Sequence, residues 1–288
     1  MADARKTLKN LNRRKLPQRK TTRRKQKTVF SLGKHVILPI ILIAFLVALW
    51  HYRYAMYFFF RQKLHKQYEV SLTQEMRIYD VLTRHDSHLY GIDVSHYQGV
   101  INWDKAVKIQ DSFPISFVFV RATAGKNLVD RTFHANWKEL DEKGIIKGAY
   151  HYYRPDENSL QQADNFIKAV RLKKGDLPPV LDIENVPQSQ SMESLKTGLR
   201  RWLHKVESHY GVRPILYSGE DFYNRYLYND FSEYTVWIAN YNFFVEDIQP
   251  DWHFWQFTDK AMLPGCKEAI DVNIFNGDSL KLKSLLLK

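Results

Sequence analysis

Four acidic residues interrupt runs of otherwise apolar sequence: Asp93, Asp182, Glu184 and Asp271. A carboxylate is costly to bury in such a run unless it is paired or takes part in chemistry. Asp182 and Glu184 are separated by one residue, so on a strand both would point to the same face, roughly 6–7 Å apart. Two carboxylates at that spacing repel, which raises the pKa of one of them. The pair would then supply a protonated acid beside a charged partner, as glycoside hydrolysis requires.

Spacing alone leaves two other roles open for these acids. Each could be a structural carboxylate tied to a Lys or Arg of the fold, or the set could bind a divalent metal ion. The sequence contains no G-x-S-x-G, Walker, G-x-G-x-x-G or H-E-x-x-H motif, so other common catalytic classes find no support. Cys266 is the single cysteine, which excludes a disulfide framework and a cysteine-rich zinc site.

Aromatic residues accompany the acids in or just beyond the same apolar runs. Flat rings can cover the apolar faces of pyranose sugars, and packing in the core accounts for some aromatic residues of any such fold. The predicted substrate-binding residues are Tyr97, Tyr152, Trp237, Tyr241 and Trp255.

The elements that must position these residues follow from the pattern after residue 90. Short apolar runs, typical of strands buried on both faces, alternate with amphipathic helical stretches. This alternation predicts a parallel α/β fold, plausibly a barrel, and barrel enzymes carry catalytic groups at the C-terminal ends of strands. The last three runs have no long helix between them, so the barrel should be irregular. The predicted strands lie at 90–94, 117–122, 148–153, 179–184, 214–218, 235–241, 253–257 and 269–275.

The charge of the chain is concentrated at its N-terminus. The 288 residues include 43 Lys and Arg and 31 Asp and Glu, a net charge of +12. Residues 1–34 hold thirteen of the basic residues and one acid, Asp3, so the remainder of the chain has no net charge. The folded part is therefore not a basic nucleic-acid binder by composition, and no nucleic-acid partner is expected.

An uncharged run of fifteen residues, 36–50, follows the basic tail. Extended through flanking aromatic residues, it predicts a transmembrane helix at 35–57 that binds the lipid bilayer. A cleaved signal peptide is the alternative, but no small-x-small cleavage site follows the run. The positive-inside rule predicts a single-pass protein of the cytoplasmic membrane, with the tail 1–34 inside, a stalk at 58–89, and a catalytic domain at 90–288 in the periplasm or outside the cell.

Several short motifs, in order, resemble glycoside hydrolase family 25, the muramidases of the Chalaropsis type. The resemblance covers about residues 90–277. The motifs are Gly91-Ile92-Asp93-Val94-Ser95-His96-Tyr97-Gln98-Gly99, Ile101-Asn102-Trp103, Gly148-Ala149-Tyr150-His151-Tyr152, Leu181-Asp182-Ile183-Glu184, Trp237-Ile238-Ala239-Asn240-Tyr241, Trp255-Gln256-Phe257 and Ile270-Asp271-Val272-Asn273-Ile274-Phe275.

The resemblance implies a flattened, irregular TIM-like β/α barrel. It also implies a lysozyme that cleaves the β-1,4 bond between N-acetylmuramic acid and N-acetylglucosamine in peptidoglycan, without a metal or cofactor. Glu184 would be the general acid/base, and Asp182 would assist the substrate's acetamido oxygen or act as a direct nucleophile. Asp93 and Asp271 would line the site. Either route inverts the anomeric centre twice, so retention is expected.

One position departs from the family pattern. Family members often carry Thr-Glu-Gly where this chain has Ala124 between Thr123 and Gly125. The presence of Ala124 in place of an acid supports an alternative function, that of a catalytically weak glycan-binding module tethered to the membrane. Retention of all four acids favours the hydrolase, which is expected to act as a monomer on peptidoglycan glycan strands.

Overall fold

The structure is a computed structural model that describes the backbone of residues 29–288 and the side chains of residues 37–53 and 72–288. The chain divides into two compact units, Met1–Lys66 and Gln67–Lys288. A long helix, α1 (Val29–Arg84), contributes residues to both units. The predicted basic tail lies outside the described side chains.

The predicted transmembrane helix at 35–57 is not confirmed. Among the residues that the structure describes, no helix combines the length and the apolar character needed to cross a membrane. The described side chains cover only part of the predicted span, from residue 37 to residue 53. The backbone there is helical, as part of α1.

The second unit contains a closed barrel. Among the described residues its strands are β1 (Leu89–Val94), β2 (Lys108–Ile109), β3 (Phe113–Ala124), β4 (Leu128–Val129), β5 (Ile146–Tyr152), β6 (Val180–Asp182), β7 (Ile215–Gly219), β8 (Thr235–Ala239), β9 (Phe254–Ala261) and β10 (Ile270–Phe275). Since β1 pairs with both β3 and β10, eight strands close in the order β1, β3, β5, β6, β7, β8, β9, β10. The two-residue strands β2 and β4 pair only with β3.

The barrel is irregular, as the sequence predicted. Strands β1 and β3 to β9 of the ring run parallel, whereas β10 is antiparallel to both of its neighbours. No helix separates β8 from β9 or β9 from β10 in this described part of the chain. Each of the eight predicted apolar runs overlaps one of the eight barrel strands, because buried parallel strands leave a nearly continuous apolar signal.

Further helices pack against the barrel; several contribute buried residues to the apolar core outside the strands, whereas the last one contributes Leu282 to the cluster inside them. They are α2 (Phe133–Glu142), α3 (Ser159–Ala169), α4 (Met192–Tyr210), α5 (Glu220–Phe222), a π-helical turn (Tyr223–Leu227), α6 (Tyr228–Phe231) and α7 (Ser279–Leu285). Gly211 ends α4 in a left-handed conformation with φ of 69°. Thr132 is the N-cap residue of α2, and Asp130, two residues before it, accepts hydrogen bonds from Thr132 N–H and Arg121 Nε.

The interior of the barrel is aromatic. The rings of Phe119 and Trp237 stack with centroids 4.4 Å apart, and Phe117 and Phe254 pack around them. Gly148 makes room for this cluster, because a Cβ atom there would lie 2.6 Å from the Phe119 ring. A second, larger apolar core lies between the strands and the helices.

The C-terminal turns of α1 belong to the barrel unit. Ile78, Val81 and Leu82 are buried in the outer core, and the Arg77 side chain is 6% exposed. These turns fall within the predicted stalk at 58–89. The structure packs one face of that helix on the barrel.

Candidate active site

All four predicted acids line one pocket. Asp93 belongs to β1, Asp182 ends β6, Glu184 lies two residues beyond it, and Asp271 lies near the start of the antiparallel β10. The pocket has a volume of about 600 Å³ and opens where the parallel strands end. The closed barrel therefore brings together residues that are far apart in the sequence.

Asp93 is held by amide side chains. Gln256 Nε2 and Asn273 Nδ2 both donate to Asp93 Oδ2, at 2.6 Å and 2.8 Å. Asn273 Oδ1 in turn accepts a hydrogen bond from Trp237 Nε1 at 2.7 Å. Burial raises the pKa of Asp93 to about 6, although these two amide donors oppose the rise by stabilising the carboxylate.

Asp271 lies directly opposite Asp93 in the β1–β10 register. Such cross-strand neighbours have Cβ atoms roughly 5 Å apart, so their carboxyl groups interact. Burial raises the pKa of Asp271 to about 9, and the charges of Asp93, Asp259 and Glu184 add to the rise. At neutral pH, Asp93 is thus the ionised member of this pair and Asp271 is protonated.

Asp182 and Glu184 form a second carboxyl pair. Asp182 is 4% exposed, and its Oδ1 atom is buried without a hydrogen-bond partner among the described atoms. Ile183 between them is fixed to β7, because its N–H donates to Tyr217 O and its carbonyl accepts from Ser218 Oγ at 2.6 Å. This backbone connection sets the direction in which both carboxyl groups enter the pocket.

Both members of this pair have a raised pKa. Burial raises the pKa of Asp182 well above its ordinary value, and the charge of Glu184 adds to it. Burial also raises the pKa of Glu184, whereas its hydrogen bond with Asp182 lowers it. The rise therefore extends to both members of the pair, and it is reinforced at Asp182, which lies deeper, by the charge of Glu184 and by their mutual hydrogen bond.

Four of the five predicted aromatic residues line the pocket. Tyr97 is 70% exposed at its rim, Tyr152 and Tyr241 form walls, and Trp237 is buried at its floor. Trp255 does not reach the pocket: it is fully buried in the outer core. Successive strand residues face opposite sides, and its neighbour Gln256 faces the interior, so Trp255 must face outward.

Sequence reasoning missed the polar residues that hold Asp93. Gln256 Oε1 accepts hydrogen bonds from the hydroxyls of Tyr217 and Tyr241, at 2.7 Å and 2.5 Å. Gln256 and Asn273 are both buried and interrupt apolar strands, as the acids do. The same argument about buried polar groups would have found them had it been applied to amides.

A basic residue forms another part of the wall. Arg121 Nε donates to Asp130 Oδ2 at 2.9 Å, and Asp130 Oδ2 also accepts from the His96 N–H at 3.0 Å. The Arg121 guanidinium lies 5.1 Å from the centre of the Tyr97 ring. Ala124, at the end of β3, lies on the same side of the pocket. The pocket wall therefore contains an arginine in addition to the four predicted acids.

The geometry bears on the metal alternative. Among the described side chains no group of three or more His, Cys, Asp or Glu residues is arranged to hold a metal ion. His151 is buried between Thr123 Oγ1 and Gln162 Oε1, and burial lowers its pKa to about 4. It is a packed, hydrogen-bonded residue.

Known proteins resemble the part of the chain that forms the barrel. Residues 92–266 match the family model of glycosyl hydrolases family 25. The chain is 34% identical to Lysozyme M1 of Streptomyces globisporus over 214 residues, which is 69% of this chain and 71% of that protein. It is 37% identical over 204 residues to protein YegX of Escherichia coli strain K12, covering 69% and 73%.

Solved structures give the same result. A family 25 glycosyl hydrolase from Bacillus anthracis superimposes with a TM-score of 0.62 at 28% identity, over 69% of this chain and 94% of that one. A bacterial lysozyme from Streptomyces coelicolor gives a TM-score of 0.62 at 29% identity, over 69% and 97%. The chain belongs to glycosyl hydrolase family 25. It is a glycoside hydrolase.

Proposed function

We propose that this enzyme is a muramidase that cleaves the β-1,4 bond between N-acetylmuramic acid and N-acetylglucosamine in peptidoglycan. The relatives named as lysozymes support this substrate. The observation that carries the proposal is the Asp182–Glu184 pair: both carboxyl groups have a raised pKa, and Asp182 Oδ1 is buried in the pocket without a hydrogen-bond partner among the described atoms. A buried acceptor without a partner is costly, and a substrate donor would relieve that cost.

Glu184 is proposed as the general acid and base. It lies at the open side of the pair, where a glycosidic oxygen can approach, and its raised pKa favours the protonated form that a general acid needs. In the first step the Glu184 carboxyl gives its proton to the leaving oxygen as the C1–O bond breaks. In the second step its carboxylate takes a proton from the attacking water.

Asp182 is proposed to assist the acetamido group of the substrate. An acetamido N–H that donates to Asp182 Oδ1 would favour the ionised Asp182, and a proton carried by the pair would then reside on Glu184, where the acid step needs it. The acetamido oxygen attacks C1 from the face opposite the leaving group. This attack closes a ring between the acetamido group and C1. Water later opens the ring from the other face, so the two inversions together retain the anomeric configuration.

The reaction is tested on purified peptidoglycan. After digestion and borohydride reduction, a muramidase leaves reduced N-acetylmuramic acid at the new chain ends, whereas a glucosaminidase leaves reduced N-acetylglucosamine. Glu184→Gln is the matched inactive control. Binding to peptidoglycan without new reducing ends would support the glycan-binding alternative, and an α anomer as first product would exclude both retaining routes.

A membrane location is a separate proposal for the same enzyme. It is supported by the basic tail 1–34 and by the exposed apolar side chains of the described part of α1, such as Ile41 and Phe45. A reporter that works only outside the cytoplasm, fused after Lys288, should be active. An active reporter of the cytoplasmic type, or a mature N-terminus near residues 50–56, would contradict the proposal.

A further inference from the structure

Arg77 makes a set of contacts that the family resemblance does not account for. It lies on α1, outside the matched residues 92–266. Arg77 is 6% exposed, and Glu246, whose charge acts on it, forms an ion pair with Arg84 at 2.6 Å. A buried guanidinium needs its donors satisfied. Backbone carbonyl groups of the barrel satisfy them.

The loop between β8 and β9, residues 240–253, receives most of these hydrogen bonds. Arg77 Nη2 donates to Asn242 O at 2.9 Å and to Val245 O at 3.2 Å, and Nε donates to Phe243 O at 3.2 Å. The fourth bond, from Nη1, goes to Phe257 O in β9 at 3.0 Å. One planar group thus ties a loop without regular structure to the neighbouring strand.

The positions of these carbonyls connect Arg77 with the active site. Asn242 follows Tyr241, and Phe257 follows Gln256. Tyr241 donates its hydroxyl to Gln256 Oε1 at 2.5 Å, and Gln256 Nε2 donates to Asp93 at 2.6 Å. The backbone on each side of the Tyr241–Gln256 hydrogen bond is therefore held by the same guanidinium.

We propose that Arg77 is a positioning residue that sets the distance between the Tyr241 wall and Gln256, and through Gln256 the orientation of Asp93. The last turns of α1 accordingly contribute to the geometry of the active site. Lysine cannot replace arginine fully in this role, because its ammonium group cannot donate in four directions of one plane. The proposal rests on the proposed hydrolysis of peptidoglycan.

The full chain provides a matched control. Arg84 lies on the same helix and contacts the same loop through Glu246 at 2.6 Å, but both side chains are about half exposed. An exposed ion pair contributes little to stability. Arg84→Gln should therefore leave the kinetics within about twofold of the wild type, whereas Arg77→Met should not.

The test measures kcat and KM on soluble peptidoglycan fragments for Arg77→Met, Arg77→Lys and Arg84→Gln. We expect Arg77→Met to raise KM and lower kcat, with kcat/KM reduced on the order of 10–10²-fold, and Arg77→Lys to lie between it and the wild type. A merely structural role would reduce the amount of folded enzyme and leave KM unchanged. An unchanged KM in both Arg77 variants would overturn the proposal.

A double-mutant cycle with Tyr241→Phe locates the effect. If Arg77 acts through the Tyr241–Gln256 contact, Arg77→Met should change kcat/KM by less than about threefold in the Tyr241→Phe background. Independent, multiplicative effects would contradict the proposal. Should Arg77→Met fail to fold, Arg77→Lys replaces it in the cycle with the same criterion.

Hydrogen exchange of the loop separates this proposal from the proposed function. We expect amides of residues 240–253 to exchange faster in Arg77→Lys than in the wild type, with no change in β5 or α4. This measurement needs no substrate. Unchanged exchange in the loop would refute the role of Arg77, whereas an inactive wild-type enzyme would refute only the hydrolase function.

Discussion

The two carboxyl pairs of the pocket differ in how their oxygen atoms are satisfied. In the pair of β1 and β10, Asp93 Oδ2 accepts two amide hydrogen bonds, and those amides are held by Trp237 and two tyrosines. In the pair after β6, Asp182 Oδ1 has no partner among the described atoms, and Glu184 lies open to solvent. One pair is fixed by the protein, and the other is left for a ligand.

The two pairs thus differ in what stabilises the negative charge of their buried carboxyl groups. Burial raises the pKa of both members of each pair. In the satisfied pair the two amide donors lower the pKa of Asp93 relative to that of Asp271. In the open pair no amide donates to Asp182 Oδ1 among the described atoms, so we expect a bound substrate to influence which carboxyl group carries a proton, as acid–base chemistry needs.

The largest effect should come from the open pair. Glu184→Gln keeps the shape of the side chain but cannot carry the proton, and kcat should fall by about 10²–10⁴-fold. Release of reducing ends from peptidoglycan measures it. Glu193→Gln, on the exposed first turn of α4, is the matched control and should retain wild-type activity. Near-full activity of Glu184→Gln would refute the assignment.

Asp182→Asn should reduce kcat comparably, because it removes the charge opposite a developing cation and the acceptor proposed for the acetamido N–H. The loss should be on the order of 10²–10³-fold, as for other charge-stabilising groups at a reacting centre. Kinetics on soluble glycan fragments decide this. A loss confined to KM would mean that Asp182 only binds the substrate.

Asn273→Ala tests the satisfied pair. It removes one of two donors to Asp93, and Gln256 still holds the carboxylate, so kcat/KM should fall by only about tenfold. The Asn273 donor lowers the pKa of Asp93, so its loss should raise that pKa and move the acidic limb of the pH–rate profile to higher pH. A loss as large as that of Glu184→Gln would remove the distinction between the pairs.

Asp271→Asn should increase stability. The folded pKa of Asp271 is raised to about 9, whereas an aspartate in an unfolded chain titrates near 3.9. The unfolded chain therefore releases this proton above about pH 4 while the native state keeps it, so the stability of the wild type falls as pH rises from about 4 and reaches its lower limit near pH 9. The variant cannot ionise. Its melting temperature should exceed that of the wild type at pH 9 and equal it below pH 4; a reversed order would contradict this.

Trp255→Phe should have the smallest effect on catalysis. Trp255 lies outside the barrel, and its Nε1 donates to Asn240 O at 3.1 Å. Losing that bond should lower the free energy of unfolding by about 1 kcal/mol, seen as a lower melting temperature, with kcat/KM unchanged. Trp237→Phe is the variant to compare with it, because it removes the hydrogen bond that Trp237 Nε1 donates to Asn273 Oδ1 beside Asp93. Equal kinetic losses in the two variants would show that their placement on opposite faces does not matter.

Much of this protein could be predicted from local sequence. Buried parallel strands leave apolar runs, so all eight barrel strands were found, and the lack of late helices indicated an irregular ring. An acid in such a run stands out, which identified the four acids. The Asp182–Glu184 pair was predictable as a pair because its two members are separated by a single residue.

Only the tertiary structure determined the remainder. The contact between Asp93 and Asn273 joins residues 180 positions apart, and closure of the ring decides which strands become neighbours. The orientation of Trp255 follows from the register of β9, which composition does not reveal. Arg77 falls within the predicted stalk at 58–89, because the local sequence does not show that this part of α1 packs on the barrel. The sequence thus determined which groups are available, and strand closure determined which groups face one another, because hydrogen bonds and charge repulsion depend on distance in space.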